Sequence, residues 1–191
     1  MRVISRTQEH DIASVFIAEN DFGRRLEFVE STQPPMDISK KWVIIVSTLF
    51  GCPVDCQFCD AGGDYRGRLT AEEIFFQIDY LVKHRFPSGM PETEKFKIQF
   101  ARMGEPSFNP AVLEVLEQFP SKYATQNFVG SLSSIAPNGT DDFFEKLLLI
   151  KKKYFDNTFQ LQFSLHSTDE EQRNQLMPVK KWSFEKMASY G

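Results

Sequence analysis

The sequence lacks any apolar run long enough to cross a bilayer. Its longest, from Trp42 to Cys52, is interrupted by Ser47 and Thr48, and it falls far short of the ~20 residues that span hydrocarbon. It also lacks the apolar stretch of a signal peptide, since it opens Met1-Arg2-Val3-Ile4-Ser5-Arg6. Both absences predict a cytoplasmic protein with no membrane partner. Positive charge is in deficit as well. The net charge is −4, so the chain as a whole offers no attraction to nucleic acid or to an anionic lipid surface. Finally, cysteine is scarce: there are three, all between positions 52 and 59. An odd number in one short stretch does not suit a disulfide framework, and metal ligation is the better reading.

The composition is otherwise that of an ordinary globular domain: 41% hydrophobic and 25% charged, with nineteen phenylalanines, over 191 residues. A chain of that length can bury roughly 70% of its unfolded surface. Short strands are predicted at Val3 to Ser5, Ala13 to Ala18 and Arg25 to Glu30, the last two joined by the turn signal Asn20-Asp21-Phe22-Gly23. Ser31-Thr32-Gln33-Pro34-Pro35 then interrupts the pattern, because paired prolines remove backbone donors and fix an extended chain. The predicted organisation is a small N-terminal β extension and linker at 1–35, followed by a core at 36–191.

In the core, strands and helices alternate. Strands are predicted at Trp42 to Thr48, Lys95 to Ala101, Asn127 to Ser133 and Phe159 to Leu165. Helices are predicted from the Thr70/Glu73 capping box toward Lys83, from Asn109-Pro110, from a Thr140 cap to about Lys153, and from Ser183. This order implies an α/β fold with a parallel sheet, either open or an arc of a barrel. A complete eight-fold barrel needs about 250 residues, so about four β/α units are expected here. The fourth strand would then be an unpaired apolar edge, and the sequence reads as the N-terminal half of a longer fold.

The segment Gly51-Cys52-Pro53-Val54-Asp55-Cys56-Gln57-Phe58-Cys59 follows the first buried strand. It lies on the rim where such sheets carry their sites. Three thiolates from one loop can hold three irons of a cubane cluster and leave the fourth open, with Phe58 limiting access of water. Three buried, unliganded cysteines are one alternative, which a loop containing Pro, Asp and Gln suits poorly, and zinc is the other. A structural zinc wants four ligands, and a fourth would have to come from Asp60 or from His10, His84 or His166.

The spacing C-x3-C-x2-C with an aromatic before the third cysteine resembles the signature of radical S-adenosylmethionine (SAM) enzymes. The surrounding motifs are similar to those of the RlmN and Cfr group of ribosomal RNA adenine methyltransferases. They are Val46-Ser47 leading to Gly51-Cys52, Leu69-Thr70-Ala71-Glu72-Glu73-Ile74, Met103-Gly104-Glu105-Pro106 with Asn109, and Ser164-Leu165-His166 with Arg173 and Pro178 downstream. The resemblance covers about Glu27 to Lys181. It implies a partial (β/α) barrel of the radical SAM type and a [4Fe–4S] cluster on Cys52, Cys56 and Cys59 that cleaves SAM reductively. SAM would be contacted by Gly104, Glu105, Ser133 (or Ser134), Ser164, Leu165 and His166, with Glu27 near the place of a proton acceptor. It further implies an electron donor, a reductase or a flavodoxin or ferredoxin, and RNA as a candidate substrate. The lysines at 40–41, 151–153 and 180–181 read more simply as solvated or helix-end charges. The sequence departs from the group at Ile45, where those enzymes carry a cysteine, and by having no cysteine in place of their methyl carrier. Without those two thiols a peptide or small-molecule substrate competes with RNA, and so does a non-catalytic metal-binding chain.

Overall fold

The computed structural model describes residues 1–9, 12–32, 35–123 and 127–191, Glu9 by its backbone alone. Gln33 and Pro34 of the expected linker, and His10, lie outside the described residues. Nine strands and five α-helices are formed among the described residues. Strands β1 (Arg2–Glu9), β2 (Ala13–Glu19) and β3 (Arg25–Ser31) make an antiparallel meander. Strand β4 (Trp42–Val46) follows, then β5 (Leu49–Phe50) and β6 (Gly67–Arg68), a small antiparallel pair flanking the cysteine loop. Strands β7 (Phe96–Phe100), β8 (Phe128–Ser134) and β9 (Phe159–Phe163) complete the main sheet.

That sheet has seven strands in the order β1-β2-β3-β4-β7-β8-β9. The pairs β4/β7, β7/β8 and β8/β9 are parallel. The meander joins through antiparallel β3/β4 pairing, Val29 opposite Ile45, and its Phe16 and Phe28 enter the same core as Trp42 and Phe96. The first strand is longer than the sequence predicts, because alternation carries through Arg2–Glu9 once β2 supplies a partner. Strand β9 ends the sheet order, as expected of an edge.

Helices α1 (Ala71–Arg85), α2 (Ala111–Lys122) and α3 (Asp141–Ile150) pack in sequence on one face. They cover Trp42, Ile44, Val46, Phe96, Ile98, Phe100, Phe128 and Leu132. Much of the phenylalanine load is here: Phe119 stacks on Phe128 at 3.9 Å and Trp42 on Phe96 at 5.0 Å between ring centres. Burying each such ring contributes about 1.5–3 kcal/mol. The Thr70 capping box forms as predicted, with Thr70 and Glu73 bonding reciprocally. Thr140 does not cap α3: its hydroxyl donates to the Pro137 carbonyl, 2.7 Å away, in the preceding turn. α3 also ends earlier than expected, at Ile150, and Lys151–Phe155 continues as a π-helical turn. Two short helices complete the chain, α4 (Glu170–Leu176), which has no counterpart in the sequence reading, and α5 (Phe184–Tyr190), capped by Ser183 as predicted. Among the described residues no helix is long and apolar enough to cross a membrane.

Alternation along the strands gives the other sheet face a different composition. In register across it lie Val29, Ile45, Gln99, Ser131 and Gln160. Lys97 donates to Gln160 at 2.9 Å and Ser133 to Gln162 at 3.3 Å on this polar side.

Candidate metal and cofactor site

The chain leaves β4 through Ser47 and Thr48, both buried, and both are fixed by residues distant in sequence. The buried Gln77 of α1 accepts the Ser47 N–H at 2.8 Å and donates to the Ser47 carbonyl at 3.0 Å. Asn109 donates to the carbonyls of Thr48 and Leu69, at 2.7 and 2.8 Å, and so ties both ends of the cysteine-bearing segment to the start of α2. Gly51 has φ +72°, and a Cβ there would lie 2.0 Å from the Asp64 carbonyl oxygen. Only glycine lets the chain turn into the loop at this point.

Within the loop, Cys52 is buried, Cys56 half-buried and Cys59 exposed. The Cys59 N–H donates to the Cys56 carbonyl at 3.0 Å, and Gln57 N–H to the Leu176 carbonyl at 3.0 Å, anchoring the loop on the end of α4. Cys52, Val54 and Cys56 pack with Ile135, Leu176, Met177 and Val179 in a small apolar cluster of their own. Burial pushes the Cys52 thiol up. The Cys56 thiol is pushed up to about 11, first by burial and then by the neighbouring Cys52, Cys59 and Glu105 charges. The three sulfurs thus feel one another. Among the described residues, however, no three His, Cys, Asp or Glu side chains converge as the donors of a single ion.

Gly104 takes φ +95°, and a Cβ on it would sit 2.4 Å from the Leu49 side chain. This close approach brings Glu105 up to the cysteine loop, near Cys52. The Glu105 carboxylate is buried and turned toward the sheet. It accepts the Ser107 N–H at 3.1 Å, the Ser107 hydroxyl at 2.7 Å, the Ser134 hydroxyl at 2.5 Å and the Ile135 N–H at 3.0 Å. Burial pushes the carboxyl up while these four donors favour the charged form.

The two serines considered at the end of β8 are therefore separated: Ser134 is engaged with Glu105, and Ser133 faces the polar side with Gln162. Ser164 donates its N–H to the Ser134 carbonyl at 2.8 Å, and Leu165 is exposed. His166 has φ +60° and lays its ring on Phe58, 4.2 Å between centres. Burial, with Arg173 nearby, holds the His166 imidazole below its usual value. Glu27, of β3, reaches the same region: it accepts from Arg102 at 2.6 Å in a cleft of ≈ 360 Å³ whose walls include Phe58, Cys59, Asp60 and Met103. Sequence reasoning missed Gln77, Asn109 as a tether, and Arg102. Buried Gln77 gave no local signal, whereas Asn109 and Arg102 flank a motif already noted.

Comparisons with known proteins give the chain a family and a related fold. A dual-specificity RNA methyltransferase RlmN of Wolinella succinogenes is 34% identical over 148 residues, 74% of this chain and 38% of that protein. An RlmN of Helicobacter hepaticus is 30% identical over 180 residues, 90% of this chain and 43% of that protein. This chain is a relative of the RlmN and Cfr RNA methyltransferases. A ribosomal RNA large subunit methyltransferase Cfr of Clostridium botulinum matches at 31% identity over 71% of the chain. No family model matches. In fold, the RlmN/Cfr-related chain is similar to a radical SAM methyltransferase from Sphaerobacter thermophilus, with a TM-score of 0.72 and 22% identity over 93% of this chain and 49% of that one. It spans 38% and 43% of the two RlmN relatives.

Proposed function

We propose that this chain is a radical SAM protein in which Cys52, Cys56 and Cys59 ligate a [4Fe–4S] cluster and SAM is cleaved reductively. The reading rests on one observation: three free thiols on a single loop that follows the C-terminal end of β4. The donor set fits the group. All three ligands are sulfur, one per iron, and the corners of a cluster are spread further than the donors around one zinc. In this reading β4, β7, β8 and β9 are an arc of a (β/α) barrel at 36–191, with 1–35 as its β extension.

When bound, such a cluster supplies the single electron that breaks a carbon–sulfur bond of SAM. The chain's own residues hold and shield it. Phe58 and His166 meet ring to ring at 4.2 Å beside the loop and would cover the group from that side. Gly104 and Glu105 meet the SAM amino group, Glu105 beside the Cys52 sulfur, while Ser133, Ser164, Leu165 and His166 line the pocket. Glu27, oriented by Arg102, is the carboxylate in the cleft beside Cys59 that takes up a proton. The electron donor is a reductase, flavodoxin or ferredoxin of the cytoplasm, and RNA is the first substrate to test because the relatives are named for it.

Ile45 favours a second reading for the substrate. It occupies the polar face in register with Val29 and Gln99, and a hydrocarbon there cannot serve as a nucleophile. A radical SAM protein without thiol-based methyl transfer, acting on a peptide or small molecule, suits that residue better.

The test is anaerobic reconstitution followed by reduction with SAM present. Iron and sulfide near four per chain, with release of 5′-deoxyadenosine that is abolished in Cys56→Ala, are expected. Stoichiometric zinc without iron overturns the proposal.

A further inference from the structure

Behind the cysteine loop lie two cations without a carboxylate. Lys181 donates through Nζ to the Asn174 side-chain oxygen at 2.7 Å and to the carbonyls of Met177 and Val179 at 3.0 and 3.2 Å. All three acceptors are neutral, and they hold the half-buried ammonium in one place. Met177 and Val179 are the residues on which Cys52 and Cys56 pack, and the fields of Lys181 and Cys56 reach one another. Arg173 is buried next to it. Its Nη1 donates to the Trp182 carbonyl at 2.9 Å and its Nη2 to the Ile135 carbonyl at 3.5 Å and the Met187 sulfur at 3.8 Å, its guanidinium lies 5.0 Å from the centre of the Phe184 ring, and its Nε has no partner. Among the described residues neither cation forms an ion pair, and Glu170 acts on Arg173 only at longer range.

Two like charges near one another, one of them desolvated, are unfavourable unless an anion offsets them. An iron–sulfur centre on three thiolates is such an anion, and its potential responds to nearby charge. We propose that Lys181, with Arg173 behind it, supplies fixed positive charge to the centre held by Cys52, Cys56 and Cys59 and raises its reduction potential. The inference rests on the cluster reading above. The sequence pair Lys180-Lys181 is accordingly divided, Lys180 being exposed and Lys181 half-buried at the loop.

The experiment is an EPR-monitored reductive titration of the reconstituted chain, without SAM, in wild type, Lys181→Met, Lys181→Arg and Asn174→Asp. Asn174→Asp leaves every bond of Lys181 in place but sets a carboxylate against it. Lys181→Met and Asn174→Asp are each expected to shift the equilibrium about tenfold toward the oxidised centre, ~59 mV for one electron. Lys181→Arg should titrate as wild type. Should Lys181→Met fail to load iron, Asn174→Asp decides. Wild-type potentials in the loaded variants overturn the inference, and so does failure of both Asn174→Asp and Lys181→Arg to load, which makes the position one of assembly rather than tuning. Absence of an iron–sulfur signal from the wild-type chain overturns the cluster reading itself, and this inference with it.

Discussion

The Glu105 carboxylate takes the hydroxyl of Ser134 and the N–H of Ile135, and the residue stands beside Cys52. One residue therefore links the cysteine loop, the end of β7 and the end of β8. A glutamine at 105 would keep the shape but aim an amide nitrogen at a donor, the Ile135 N–H, in a buried site. Glu105→Gln is expected to lower stability by about 1–3 kcal/mol, read as a reduced urea midpoint of the metal-free chain. An unchanged midpoint would show that the carboxylate is not engaged as described.

Gly104→Ala should be destabilising for two separable reasons. A positive φ of +95° strains any side chain, and the new Cβ meets Leu49 at 2.4 Å. The backbone part costs about 1–3 kcal/mol; the steric part depends on Leu49. Adding Leu49→Ala should thus cost less than the sum of the single changes, and strict additivity in the double-mutant cycle would refute the contact.

Alkylation should distinguish the cysteines of the metal-free chain. Cys59 is exposed, whereas Cys56 is pushed up to about 11 and Cys52 is buried and raised. At pH 8 about one Cys56 in a thousand is thiolate, the reactive form. Peptide mass spectrometry after brief iodoacetamide treatment should find Cys59 modified first. Labelling of Cys56 at the same rate contradicts the packing of the loop on Met177 and Val179.

His166 gives a pH dependence whose sign follows from its environment. Burial and then Arg173 hold its folded value below the ordinary 6.5, so near that pH the unfolded chain binds more protons than the folded one. Its contribution to stability is full above about 6.5 and is lost as pH falls from there through the folded midpoint. An NMR titration should place the His166 midpoint below 6.5, and Arg173→Met should raise it partway back. A midpoint at or above the ordinary value would mean that the ring does not pack on Phe58 as found.

Much of this was readable along the chain, and the exceptions have a common form. The Thr70/Glu73 capping box and the Ser183 cap are local, satisfied by backbone within a few residues, and both form. Thr140 reads the same way but bonds Pro137, because the preceding turn offers a nearer acceptor. α4 escaped notice because a seven-residue polar helix carries little hydrophobic periodicity, and its burial depends chiefly on Arg173.

What the sequence determined alone is the three-cysteine loop, the alternation of strand and helix around it, and an isoleucine rather than a thiol at position 45, since these depend on residue chemistry and short spacing. Tertiary structure alone decided that Glu27 and Arg102 stand beside Cys59, that Ser134 rather than Ser133 meets Glu105, and that Lys181 is tethered behind the cysteine loop. Pairing register and side-chain alternation join residues far apart in the chain, and no local pattern records which face of the sheet a distant neighbour will share.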